Sequence, residues 1–505
     1  VIRFAAVLTL LALVLAGCFS GSGGVEGGVE GSEGTESRLR VGLSFPPTSG
    51  LSPYGNEATL ATRLGVTEPL VTLAAGGPEP ALATAWTQLS PTSWRFTLRP
   101  GVAFHDGSPL TPEAVVNSLT RAAAATPAPR ALASLAEGRA PLTARPDGPD
   151  AVVVTTPVPD PVLPQRLASP ELVVLAAGAY ADPTRPSPVR AGTGPFVLTR
   201  VDGSTGAALD ANPSSWRGPV AAPGIDARFL TDGAARTNAL RAGELDVAEA
   251  IPASQVASIT APQRVVGVPL PRSVAVYLDQ RSPVFADPGL RAAARAAIAP
   301  IDVAGTIYEG RADPAGGLFG PATPWAVAPG ARPAHADTPP TPPTGQRIRL
   351  ATYSDRAELP EIAAADADAL RRAGFTVDVT VLESSAFEAQ LGTGTFDAVI
   401  VSRSQQLDTG DPIGYLTSDF SCAGGYNWAG YCDPATDAVL ATAAQTSDVE
   451  ARRRAALEVE ARVLAADAVV PHVTERARIG VGAGVTGVAE DPNEQVLVTQ
   501  ETRRG

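Results

Sequence analysis

Short strands and capped helices alternate along this chain of 505 residues without an internal repeat, which restricts it to a mixed α/β fold. The plainest helix start is Thr111-Pro112-Glu113: an N-cap hydroxyl, a proline at the first helical position and an acid in the first turn. It predicts a helix from Pro112 to about Ala123, and Asp287-Pro288 and Asp448 predict similar starts. Helices from about Ala234 to Ala242 and from Glu361 to Ala373 should stop at Gly243 and Gly374. Among them, LRVGLSF (Leu39–Phe45), AVVVTT, PFVLTRV and DAVIVSR read as strands. WRFTL (Trp94–Leu98) puts Trp94, Phe96 and Leu98 on one face, and Arg99-Pro100-Gly101 is expected to turn it into a hairpin with Val102-Ala103-Phe104. The Pro- and Thr-dominated stretch Arg332–Gly345 can neither pair in a sheet nor continue a helix, so it is an exposed loop or a flexible link.

A segment of another kind precedes the first strand. From Phe4 to Gly17 the chain is an apolar run behind Arg3, too short for a comfortable membrane span and laid out like a secretory signal. It ends in Leu15-Ala16-Gly17-Cys18, which resembles the bacterial lipobox at every position, so Cys18 is expected to be the acylated first residue of the mature chain. Gly, Ser and Glu dominate Phe19–Ser37, a composition that behaves as flexible coil and suits a tether. The folded body is therefore expected outside the cytoplasm, held at the membrane by lipid.

A formal charge of −13 argues against a nucleic-acid partner, which needs clustered cations to neutralise phosphate. With Cys18 assigned to lipid, Cys422 and Cys432 remain; in an exported chain so close a pair reads as a disulfide. Zinc is the alternative, but His105, His335 and His472 stand singly and far apart. The chain has no Gly-x-Ser-x-Gly elbow, no His-Glu-x-x-His and no Walker loop. Gly482, Gly484 and Gly487 mimic a dinucleotide motif, yet VAEDPN follows them where a helix N-terminus would be required, so they read as a turn. No enzyme activity and no cofactor are expected.

Four stretches carry a family resemblance. Pro80–Ala122 (PALATAWTQLSPTSWRFTLRPGVAFHDGSPLTPEAVVNSLTRA) closely resembles the oligopeptide-type, or family 5, extracellular solute-binding proteins of ABC importers. GTGPFVL (Gly192–Leu198) looks like that family's re-entry strand, and ALRAGELDVAEAIP (Ala239–Pro252) like its Gly-Glu-x-Asp signature. Phe285–Phe319 resembles the start of its third domain, with Arg291 at the usual arginine. The resemblance implies a bilobal periplasmic-binding-protein-like clamp (type II, cluster C-like) with an inserted α+β domain. On it, residues 1–18 are signal peptide and 19–38 tether; 39–60, 190–268 and 476–505 form lobe I; 61–189 are the inserted domain and 269–475 lobe II. It implies a monomer that captures a short peptide and delivers it to an ABC permease and ATPase complex.

Peptide-binding members of the family place a carboxylate for the ligand's ammonium a few residues before an acid-Pro pair. QLDTGDP puts Asp408 at that spot, ahead of Asp411-Pro412, although a turn-forming role for Asp408 is the alternative. Tyr426, Asn427 and Trp428, inside the Cys422–Cys432 loop, either line the cleft or pack the loop against its own lobe. Tyr54 is a more remote candidate. The chain departs from the family pattern in three places. Gln405-Gln406 stand where a tryptophan is usual, Asp279-Gln280 where a strand ends near an asparagine, and the proline-rich stretch replaces a helix. These departures leave open a non-peptide solute (a metal chelate, haem or an oligosaccharide), or a surface sensor without transport.

Overall fold

One eleven-stranded mixed sheet runs through the molecule, and two long strands carry it from one half to the other. The computed structural model describes residues 37–55, 57–74, 77–136, 141–330, 338–405 and 410–505. The strands there are β1 (Leu39–Leu43), β2 (Val71–Ala74), β3 (Gly77–Pro80), β4 (Ala83–Ser90), β5 (Ser93–Leu98), β6 (Thr143–Pro146), β7 (Ala151–Thr155), β8 (Phe196–Asp202), β9 (Gly206–Ala211) and β10 (Gly224–Phe229). They continue with β11 (Val247–Ala248), β12 (Arg264–Leu278), β13 (Asp313–Pro314), β14 (Arg347–Tyr353), β15 (Thr376–Leu382), β16 (Ala398–Ser404), β17 (Val469–Val481), β18 (Val485–Val488) and β19 (Val498–Arg504). The main sheet has the order β15-β14-β16-β12-β17-β11-β1-β10-β9-β8, with β13 also on β17.

The partnership of β12 and β17 changes along its length. Arg264–Pro269 pairs antiparallel with Arg476–Val481, the register shifts between Pro269 and Ser273, and Ser273–Tyr277 then pairs with Val469–Thr474. A prolyl residue donates no backbone hydrogen bond, so Pro269 and Pro271 weaken the ladder at that break. On one side of it, Leu39, Val41, Phe196, Leu198, Ile225 and Val481 share a core. On the other side both faces of the sheet are covered. Val274, Val276 and Leu278 point to one core, Ala275 and Tyr277 to the other, the period-two alternation of a strand.

Over the first of these faces lies the helix Glu358–Ala373. Its buried Leu359, Ile362, Ala363, Ala367 and Leu370 recur at helical spacing, and Gly374 ends it in the left-handed region at φ 107°. It begins three residues ahead of the expected start, because Glu358 is drawn into the core by Arg478 and the Ala253 amide. The helices Pro112–Ala124, Pro288–Ile298 and Val449–Ala465 start where their caps predict: Thr111, Asp287 and Asp448 each accept a bond from a first-turn amide.

Between β1 and β8 lies a separate four-stranded antiparallel sheet, β4-β5-β7-β6, whose core includes Phe96, Leu119, Val152 and Val154. Here one expectation is corrected. β5 pairs with β4 and β7, while Val102–Leu110 closes on itself through Phe104 N to Ser108 O (2.8 Å) and Leu110 N to Val102 O (2.9 Å). The Arg99 amide is committed to Leu82 O at 2.8 Å, which ties the turn to the preceding strand instead. The first strand is also shorter than expected: it stops at Leu43, since Ser44 gives both its amide and its hydroxyl to Glu249 at 2.7 Å each.

Candidate functional site

The carboxyl ends of parallel strands in an open α/β sheet are where ligands bind. β14 and β16 are parallel neighbours, and their C-terminal ends lead to Arg356 and to Gln405 beside the break in β12 and β17. Charged residues enter the long strands there: Arg272 alone within the apolar VPLPRSVAV, and Glu475 followed by Arg476 and Arg478 in HVTERARIG. Glu475 is 2% exposed and accepts from three side chains: Tyr308 Oη (3.0 Å), Arg356 Nη1 (3.4 Å) and Ser402 Oγ (2.5 Å). Arg272 lies 3.9 Å from it and donates to Glu494 at 2.6 Å. Glu494 in turn faces Arg63 at 3.8 Å, and Arg63 donates to Glu249 at 3.2 Å. At the other end Arg478, 5.6 Å from the Tyr308 ring, donates to Glu358 at 2.6 Å.

Four arginines and four glutamates thus alternate across the break. Buried charge is costly unless paired, and the alternation supplies the pairs. Burial alone would raise Glu475, but Arg356, then Arg272, hold it below the usual carboxylate range. Burial likewise opposes ionisation of Glu494, and Arg272, Arg63 and Arg356 overcome it, taking the group to about 2. Burial works against the charge on Arg356 too, yet Glu475, Tyr353 and Glu494 keep it above its ordinary value. Among the described residues the Arg356 side chain makes one hydrogen bond, to Glu475, and it remains 27% exposed. It is a fixed cation with donors to spare.

The segment between β1 and β8 meets the chain that follows β16. A Cβ on Gly410 would lie 2.7 Å from Leu73 Cδ1 and 3.4 Å from Gln165 Cβ, so the chain after β16 touches β2 and the helix Leu163–Arg166. Asn493 Nδ2 reaches Leu73 O at 3.1 Å from the other side.

The residues expected from the sequence fall in several places. Asp408 and Cys18 lie outside the described residues. Cys422 and Cys432 are joined by a disulfide. Inside their loop the Asn427 side chain ties the loop to its own base, donating to Ser421 O just ahead of it (2.9 Å) and to Tyr431 O (2.6 Å) and accepting from Tyr431 N (3.1 Å). Trp428 packs edge-on to Tyr277, and the 39%-exposed Tyr426 sits 5.0 Å from the Arg403 guanidinium. Tyr54 packs apart from them, against the core of the four-stranded sheet, with its hydroxyl buried and unpartnered. The sequence reading missed Arg272, Arg356, Glu475 and Glu494; a charge inside an apolar run was the available signal for Arg272 alone.

A profile of the bacterial extracellular solute-binding proteins, family 5, matches residues 77–427. The chain belongs to that family. Its members are binding components of ABC importers, so this is a solute-binding protein and not an enzyme. It is 28% identical over 282 residues to probable di/tripeptide-binding protein 5 of Pseudomonas aeruginosa (strain UCBPP-PA14), a match covering 52% of each chain. The match thus spans about half the length of that relative. Among solved structures, NikA from Brucella suis in complex with Fe(III)-EDTA aligns with a TM-score of 0.79 at 20% identity, covering 93% of this chain and 100% of that one. A dipeptide binding protein from Pseudoalteromonas sp. SM9913 in complex with Met-Leu aligns at 0.77 and 17% identity with the same coverage. These likenesses establish the fold, a bilobal α/β clamp. No helix among the described residues is long and apolar enough to cross a membrane.

Proposed function

We propose that this solute-binding protein captures short peptides outside the cytoplasm and hands them unaltered to a membrane permease. The observation that carries the reading is Arg356. Its guanidinium is held by Glu475, keeps open donors and lies beside the break between the sheet halves, a geometry suited to a carboxylate that arrives with a ligand. A peptide also brings an ammonium group, and Asp408 is assigned to it.

Residues 39–60, 190–268 and 476–505 form lobe I on this reading, 61–189 the inserted domain and 269–475 lobe II. The hinge lies at Pro269–Ser273 opposite Thr474–Arg476, where the ladder breaks. A ligand stabilises the closed form by contacting both lobes. Cys18 carries the lipid and residues 19–38 the tether. The protein acts as a monomer.

Calorimetric titration of a dipeptide and its C-terminal amide tests this. The wild type should prefer the free carboxylate by roughly 10- to 150-fold, the range of a hydrogen bond to a charged group, and Arg356→Gln should lose the preference. A single non-peptide mass carried by the purified protein, with no peptide binding, would overturn the reading.

A further inference from the structure

The turn Asp491–Val496 meets three parts of the molecule at once. Asn493 reaches Leu73 of the inserted segment, Arg63 of the helix Ala58–Arg63 donates to the Glu494 carbonyl at 2.7 Å, and the Glu494 side chain takes Arg272 of β12. Its backbone is held for the purpose. Glu494 stands at φ 56°, a left-handed conformation that a residue with a Cβ rarely adopts. Asp491 secures that turn: its carboxylate accepts from the amides of Asn493 (2.8 Å), Gln495 (2.8 Å) and Val496 (2.9 Å). An unfavourable backbone conformation fixed by its surroundings points to a role for the side chain it presents. That side chain is the closest ionic partner of Arg272; Glu475 is farther away, at 3.9 Å.

Resting on the clamp reading above, we propose that Glu494 is a positioning residue that holds the closed form by engaging Arg272 at the hinge, without touching the ligand. Opening the clamp separates the C-terminal turn from the strand that bears Arg272. Closing it restores the pair and leaves Arg272 between Glu494 and Glu475, with Glu475 in turn holding Arg356. Closure and the readiness of Arg356 are thereby one event, and affinity for every ligand should scale with the Glu494 contact.

In a Leu73→Ala background, which removes the side chain that a Cβ at 410 would otherwise meet at 2.7 Å, a cysteine pair at Gln165 and Gly410 measures closure without any ligand, because a Cβ at 410 lies 3.4 Å from that of Gln165. Glu494→Gln in that background should cross-link roughly five- to thirtyfold more slowly than its parent. Its affinity for a dipeptide and for the dipeptide amide should fall by one common factor. An unchanged cross-linking rate overturns the proposal even if peptides bind. A loss confined to the carboxylate-bearing ligand also overturns it, since Glu494 would then act on the ligand. Failure of both ligands to bind would sink the peptide reading and leave the cross-linking result standing. Should Glu494→Gln not fold, Glu494→Asp withdraws the charge by one methylene and is read in the same way.

Discussion

Arg403 and Asp419 meet in a two-bond fork, each bond 2.8 Å long, with 9% and 0% of their side chains exposed. The fork joins β16 to the helix Pro412–Phe420 and keeps the guanidinium beside the rings of Tyr415 and Tyr426. Removing one partner of such a pair leaves the other charge in the interior, which costs about 3–5 kcal/mol. Asp419→Ala should therefore lower the urea midpoint steeply. A midpoint equal to wild type would show that water reaches Arg403.

Asn427 separates a structural from a ligand-binding role for its loop. Its three described side-chain bonds go to Ser421 O, one residue ahead of the disulfide, and to both backbone groups of Tyr431 inside it. Asn427→Ala should cost roughly 1–3 kcal/mol through unsatisfied buried groups, while ligand affinity measured well below the melting range stays put. A variant of wild-type stability with weakened binding would make Asn427 a ligand contact instead.

Gly194 explains part of the GTGPF signature. A Cβ there would lie 2.2 Å from Gly65 O and 3.0 Å from Val66 O, backbone atoms that cannot rotate aside, and the Gly194 amide itself bonds to Val66 O at 3.1 Å. Gly194→Ala has to push two chain segments apart, with an expected cost of about 1–3 kcal/mol. Thermal unfolding of the variant measures it, and an unshifted transition would mean that the junction yields freely.

Local chemistry was legible in the sequence and distant pairing was not. Thr111, Asp287 and Asp448 announce their helices because a cap acts on amides two or three residues away. Gly374 ends its helix for a similarly local reason. The partner of Trp94–Leu98 was misread because the turn at Arg99-Pro100-Gly101 looks sufficient by itself, whereas the pairing is decided by Leu82, many residues earlier. Arg272 and Glu494 are 222 positions apart in sequence, so no spacing rule links them. A charge within an apolar strand is a visible anomaly, but its meaning depends on which opposite charge the fold carries to it. Family resemblance supplied the clamp, and the site within it had to be read from contacts.

Glu494 makes the fold sensitive to acid in a defined window. Burial raises the pKa of a carboxyl group, but Arg272, Arg63 and Arg356 outweigh burial here and bring it from 4.5 to about 2. A carboxylate depressed in the folded state stabilises the fold fully above its unfolded value and loses that contribution as pH falls to the folded value. For Glu494 the loss runs from about 4.5 down to about 2. Glu475, depressed in the same direction against burial, adds to it with the same sign. Urea midpoints should thus change little from Glu494 between about pH 7 and pH 5, then fall. Glu494→Gln should be the less stable protein at neutral pH, and its deficit should shrink as the wild type protonates within that window. Parallel profiles for the two proteins would show that the Glu494 carboxyl group exchanges its proton equally in the folded and unfolded chains, and with that the ionic tie to Arg272 would carry no net stability.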